Sequence, residues 1–487
     1  MASLTNERRA NYLQALSLRA AHAETTDPRD IFPVSEHLRA LEAEVVLIIG
    51  DRGSGKTQLK KALTTPNIRG ALLRHARSIR VPGESTWLQG WPLESGGPDL
   101  RGWRELLSTN PGRDDLIAIW LAYLLRTMKP HLSPDEVEKT TELHQAHAAD
   151  ARSVLAAYQK IGVTVTTVLD ALDERMLQQQ RWLFVAYDEL DTIFHENWQA
   201  MGAVIRGLVS FWAAYARRWK RLRPKVFLRS DFYKHHRDVA GADVAKLAGN
   251  RVELQWSDKN LYGALLKHIL NKTDANGDRP LQSYFARTVT SISDPVLGEI
   301  PVLGKAEEAK PFVNRLISEY MGANRGKGAS FRWILDHLRD GNGRALPRSL
   351  VQLIELAAEI ERDQPRASGA HLLHHVSIRN ALDRLSAEYV LQAQTHEFSW
   401  LDGLGRRLSK DREVPWKRRE LIRLLSQDFA GGWSDTGARP PGADPEELLE
   451  NLVELGVLRA RGNELLDVPD LYLHGLNLRR KGGVAKK

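Results

Sequence analysis

The 487-residue chain contains no cysteine. That absence excludes disulfides, thiolate zinc sites, iron-sulfur ligation and cysteine nucleophiles, and it fits a reducing compartment. Long apolar runs are missing too: no stretch of about 18 uninterrupted apolar residues occurs, so no membrane-spanning helix is expected. The opening MASLTNERRA carries arginines without the apolar segment of a signal peptide. A cytoplasmic protein with no membrane partner is the expectation. Histidines such as His235, His236, His371, His374 and His375 lack carboxylates in a ligand pattern, so neither a metal centre nor a nuclease signature is read from them. Neither sign of charge dominates, with 69 Lys and Arg against 61 Asp and Glu, a net +8 that permits nucleic-acid contact without requiring it. The length exceeds what one hydrophobic core organises, and two or three domains are expected.

What is present begins at "LIIGDRGSGKTQL". Val45 to Ile49 are apolar without alternation, as in a strand buried on both faces of a parallel sheet. Gly50-Asp51-Arg52-Gly53-Ser54-Gly55-Lys56-Thr57 then matches G-x-x-x-x-G-K-T at every fixed position, and QLKKAL reads as the following helix. Glycines let successive backbone N–H groups turn toward a β-phosphate at a helix N-terminus. Lys56 neutralises β/γ oxygens and the Thr57 hydroxyl ligates Mg2+. ATP and Mg2+ are the expected cofactors.

A phosphate loop needs a second strand that holds the metal and aims a water. The apolar run WLFVAYDEL, Trp182 to Leu190, ends in Asp188-Glu189. Asp188 is expected to hold Mg2+ through its water shell and Glu189 to act as general base, with Asp191 a distant second for that role. A third run, KVFLRSD from Lys225 to Asp231, looks like the strand between the two motif strands of additional-strand NTPases. Ser230 and Arg229 are both candidates to reach the γ-phosphate or the attacking water. LESGG at 93–97 is reminiscent of transporter and SMC ATPase signatures, yet it lies about 90 residues before the acidic strand, and that reading is rejected.

Arg217, Arg218, Lys220, Arg221 and Arg223 crowd a helix end, where cations are favoured; an arginine finger acting on a neighbouring subunit and a nucleic-acid contact are the sharper alternatives. RVELQWSDKNLYGALLKHIL reads as a short strand and a helix that complete a five-stranded core. Arg348, after Pro347, starts a helix that could present it to a nucleotide from a lid. Trp87, Trp91 and Trp103 sit among glycines and prolines, where they pack or stack on bases.

At the C-terminal end WKRRELIRLLSQDFAG is helical, DPEELLENLVELGVL is an acid-capped helix, and RARGNELLDVPDLY resembles a hairpin turning at Gly462-Asn463. A winged helix domain is expected. Its helix bearing Glu446, Glu447, Glu450 and Glu454 suits phosphates poorly. Any DNA contact is assigned to Lys417-Arg418-Arg419 and to the 479–487 tail with Arg479, Arg480, Lys481, Lys486 and Lys487.

Together GDRGSGKT, VAYDELD, KVFLRSD, VELQWSDKNLYGALL, PRSL and the ending GVL...VPDLYLHGLNLRRKGG resemble the AAA+ and STAND superclass, more closely origin-recognition-like and bacterial defence-associated P-loop ATPases. The resemblance implies Lys56 and Thr57 at phosphate and metal, Asp188 and Glu189 at metal and water, Ser230 as a polar sensor and Arg348 as a lid sensor. The expected architecture is an α/β P-loop NTPase core of the additional-strand type. Residues 1–75 are read as an N-terminal segment and the first part of the core, 76–180 as a mainly helical insertion, and 181–270 as the second part of the core. Residues 271–410 follow as an irregular connection and helical lid, and 411–487 as a winged helix-like domain with a basic tail. The expected function is an ATP-hydrolysing switch that self-associates or engages DNA or a separate effector protein, in antiviral defence or genome maintenance. A slow ATP-dependent protein scaffold that binds no DNA is the alternative.

Overall fold

Leu47, Ile48 and Ile49 are almost wholly buried in strand β1 (Leu47–Gly50), as their unbroken apolar character requires. The computed structural model that shows this describes residues 4–17, 27–76, 79–91, 100–190, 198–233, 249–274, 276–396, 398–433, 440–462 and 464–481. Four further strands, β2 (Ser85–Trp91), β3 (Trp182–Tyr187), β4 (Leu222–Arg229) and β5 (Arg251–Glu253), join β1 in one sheet of order β2-β3-β4-β1-β5. Every neighbouring pair runs parallel. The chain thus has an α/β core in which β4 lies between the loop-bearing and acidic strands, as expected of an additional-strand NTPase.

Residues 85–91, within the stretch read as a mainly helical insertion, form the edge strand of this sheet. The sequence hides it because S-T-W-L-Q-G-W mixes polar and apolar residues, as an edge strand with one half-covered face does. Trp87, Trp91 and Trp103 are 9%, 8% and 0% exposed, so they pack rather than offer faces to bases. Trp91, Trp103 and Trp120 meet one another at ring separations of 5.5–6.4 Å, and Trp120 donates its indole N–H to the Val204 carbonyl at 3.0 Å. This aromatic layer backs β3 through Tyr187.

The chain divides into two compact units, one of residues 33–255 holding the sheet, the other of residues 1–32 and 256–487. In the second unit the helix Asn6–Ser17 packs along the helix Pro347–Asp363. An ionic cluster, buried at all its members but Asp30, secures that arrangement: the His268 ring lies 3.0 Å from Asp30 and 3.1 Å from Glu355, while Lys272 donates to Glu355 at 2.8 Å and to the Leu16 carbonyl at 2.9 Å. Burial disfavours the imidazolium, but the two carboxylates outweigh it and hold the His268 pKa above its ordinary value.

The same unit contains the helices Arg418–Leu425 and Pro445–Glu454 and an antiparallel hairpin, Arg459–Arg461 with Leu465–Asp467, flanked by Trp416–Lys417. Its Gly462 has φ +64°, which suits a tight turn; Asn463 lies outside the described residues. No helix among the described residues is long and apolar enough to cross a membrane.

Candidate nucleotide site

The phosphate loop leaves β1 at Gly50 and enters the helix Lys56–Thr64. Gly53 (φ +82°) and Gly55 (φ +96°) hold left-handed backbone that a side chain would strain. A Cβ on Gly50 would lie 2.4 Å from Ser54 Oγ, so the loop closes on itself only with glycine there. Lys56 donates from Nζ to the carbonyls of Gly50 at 2.8 Å and Asp51 at 2.9 Å, spanning the loop mouth. Asp51, Arg52, Gly53, Gly55 and Thr57 are partly exposed, while Ser54 is buried.

Asp188 follows β3 directly and is only 2% exposed. Burial raises its pKa, opposed by the backbone N–H of Glu189, the Thr57 hydroxyl, and the charges of Lys60 and Lys56. One carboxylate oxygen, Oδ2, is buried with no hydrogen-bond partner among the described residues. A buried carboxylate oxygen left open beside a threonine hydroxyl is the donor set a hard divalent cation takes, so Thr57 and Asp188 fit Mg2+. Glu189 stands next in the left-handed region at φ +54°, a conformation that costs a non-glycine residue on the order of 1–3 kcal/mol. Asp191 lies outside the described residues, as does the LESGG stretch.

The end of β4 adds a residue that the sequence reading passed over, Asp231, as the partner of the candidate Arg229. Gly50 is in register with Arg229, which places that arginine abreast of the loop's first residue. Arg229 binds Asp231 through two of its guanidinium nitrogens, Nε to Oδ1 at 3.1 Å and Nη2 to Oδ2 at 2.6 Å. Burial would raise the Asp231 pKa, but Arg229, the Phe232 amide and the charge of Lys56 outweigh it and hold the carboxyl below its usual range. Ser230, the candidate sensor, lies partly exposed between the two partners. Lys60 was missed as well. It is 4% exposed, and its charge acts on Asp188. Its signal was its place four residues after Lys56, on the same helix face.

No protein-family model matches the chain, and no curated protein matches it. Among solved structures it is similar to the Walker-type ATPase PABY2304 of Pyrococcus abyssi, with 14% identity over 95% of this chain and 100% of that one and a TM-score of 0.39. It is also similar to the ORC2 protein of Aeropyrum pernix in its ADPNP-ADP complexes, with 13% identity over 90% and 89% of the two chains and a TM-score of 0.37. The ORC1 protein of Aeropyrum pernix in complex with DNA gives 13% identity, 95% of each chain and a TM-score of 0.34. With identity and TM-score this low, the functional reading rests on the chain's own residues.

The remaining sequence candidates lie elsewhere. Arg348 is exposed in the first turn of the helix Pro347–Asp363, in the other unit. The arginines before β4 sit at the end of the sheet opposite the loop: Arg218 is bonded to Asp170, and Arg221 stacks 4.4 Å over Trp182. In the C-terminal basic patches, Arg480 binds Asp467 at 2.7 Å and Asp470 at 2.7 Å, Arg479 pairs with Glu413 at 2.8 Å, and Lys417 and Arg419 are exposed. Residues 482–487 of the tail lie outside the described residues.

Proposed function

We propose that this chain is an ATP-binding and ATP-hydrolysing molecular switch of the AAA+ type, cytoplasmic, with a C-terminal winged helix-like domain that engages a partner. The observation that carries it is the open oxygen of buried Asp188 beside Thr57, next to a strained Glu189 and across from a G-x-x-x-x-G-K-T loop. Backbone N–H groups of residues 53–57 would receive the β-phosphate, and Lys56 would exchange its two loop carbonyls for phosphate oxygens. Thr57 and Asp188 would hold Mg2+, which when bound neutralises charge on the β- and γ-phosphates. Glu189 would orient the attacking water and take its proton. Ser230, with Arg229 and Asp231 on either side, is the proposed sensor of the γ-phosphate, and Arg348 the proposed lid contribution.

Effector protein and DNA remain the two partner classes, in antiviral defence or genome maintenance. The carboxylates Glu446, Glu447, Glu450 and Glu454 on the helix Pro445–Glu454 favour a protein, because phosphates would meet like charge there. The test is steady-state ATP hydrolysis by wild type and Glu189→Gln across a titration of duplex DNA at low and moderate salt, with nucleotide binding followed by a fluorescent ATP analogue. Turnover lost in Glu189→Gln with binding retained is expected. Wild type that binds no nucleotide, or Glu189→Gln that turns over undiminished, overturns the reading. DNA stimulation that survives moderate salt would decide for DNA over the effector.

A further inference from the structure

We infer that the groove between the helix Pro445–Glu454 and the hairpin Arg459–Asp467 is a docking site for a basic, leucine-bearing segment of a partner protein. The inference deepens the partner half of the proposed function and rests on reading this domain as the partner-engaging module.

The groove has a volume of about 320 Å3. Leu449, Val453 and Leu466 form its apolar floor, with the exposed Ala460 beside them on the hairpin. Its edge carries three carboxylates, Glu450, Glu454 and Glu464, against one guanidinium, Arg418, which itself lies 3.8 Å from Glu450. The strand alternation sorts the chemistry. Ala460 and Leu466 are cross-strand partners facing the groove, whereas the adjacent pair Arg459 and Asp467 belongs to the opposite face. There Arg461 and Arg480 also bind Asp467, whose side chain is wholly buried. The hairpin therefore gives its arginines to an internal carboxylate and turns an apolar, acid-rimmed face toward the helix. Glu446 and Glu447 extend the negative charge along the same helix.

Charge complementarity selects the occupant. Phosphates would meet carboxylates at this edge, so a nucleic-acid backbone is disfavoured. A peptide that seats leucine-sized side chains on the floor, with lysines or arginines over Glu450, Glu454 and Glu464, satisfies both parts of the groove.

The test uses the full chain and fluorescence anisotropy of three labelled probes at moderate salt: an amphipathic Leu/Lys peptide, its Leu/Glu counterpart and a DNA duplex. The Leu/Lys peptide is expected to bind and the Leu/Glu peptide not to. Ala460→Lys and the double variant Glu450→Lys, Glu464→Lys are each expected to weaken the Leu/Lys peptide about tenfold or more. Both variants should keep the wild-type unfolding midpoint, since the altered side chains are exposed. If Ala460→Lys unfolds, the double variant decides. Equal binding of the two peptides, undiminished binding by the double variant, or displacement of the peptide by the duplex overturns the inference. Peptide binding is read without nucleotide, so failure of ATP turnover would remove the proposed ATPase while leaving this result intact.

Discussion

Replacing Asp188 by Asn separates the two demands placed on that residue. At 2% exposure with one oxygen unpartnered, the ionised carboxylate is costly to keep in the apo protein; an unsatisfied buried acceptor costs about 1–3 kcal/mol, more when charged. The pKa is raised by burial, so the folded state binds this proton more tightly than the unfolded chain. Its stabilising contribution is present below the ordinary aspartate pKa and lost as pH rises through the folded value. Asp188→Asn should therefore have a metal-free unfolding midpoint at or above wild type at neutral pH, the difference shrinking as the pH is lowered. With Mg2+ and nucleotide the order reverses. A ligand at about 100 times its Kd stabilises by about 2.7 kcal/mol, which raises the midpoint of a unit of this size by roughly 5–10 °C. Wild type should show that Mg2+-dependent increment and Asp188→Asn should lose most of it. The assay is thermal unfolding with and without Mg2+ and a non-hydrolysable nucleotide, between acid and neutral pH. An undiminished Mg2+ increment in the variant would refute the metal assignment, and a metal-free midpoint well below wild type at neutral pH would refute the burial argument.

Other expectations follow from neighbouring groups. Lys56→Ala removes both the strut to Gly50 and Asp51 and the cation for phosphate, so nucleotide affinity should fall by at least about tenfold, read by the same fluorescent analogue. Asp231→Ala removes the bidentate partner of the half-buried Arg229 and should cost about 1–3 kcal/mol in urea unfolding. The double variant Arg229→Met, Asp231→Leu should recover part of that loss. Because the Asp231 pKa is lowered, its contribution is present above the ordinary aspartate pKa and fades as pH falls through the folded value. Lys225 is fully buried in β4, donates to the Glu42 and Val45 carbonyls, and has its pKa pushed down to about 7 by burial. Between that value and the ordinary lysine pKa the unfolded chain holds the extra proton, so stability should rise with pH across that window. Lys225→Met should flatten the rise, and an unchanged slope would show that Lys225 is not its source.

The sequence by itself determined the parts whose cause is contiguous. Eight consecutive residues, GDRGSGKT, carry the glycines, lysine and threonine of the loop, and the unbroken apolar runs before Gly50, Asp188 and Arg229 specified three parallel strands. Their buried surroundings follow from composition alone, because a strand covered on both faces has no room for alternation. Tertiary structure decided what depends on partners distant in the chain. β2 is a strand because β3 offers it a parallel ladder, although its own residues are mixed. The first 32 residues belong with residues 256–487 because the cluster of Asp30, His268, Lys272 and Glu355 closes there, across more than 300 residues of chain. Arg480 reads as a surface cation in sequence, yet Asp467 claims it thirteen residues away. Periodicity reports which face a residue occupies; only the folded chain decides which opposite charge meets it there, and that pairing separates a cation that binds a ligand from one that holds the fold.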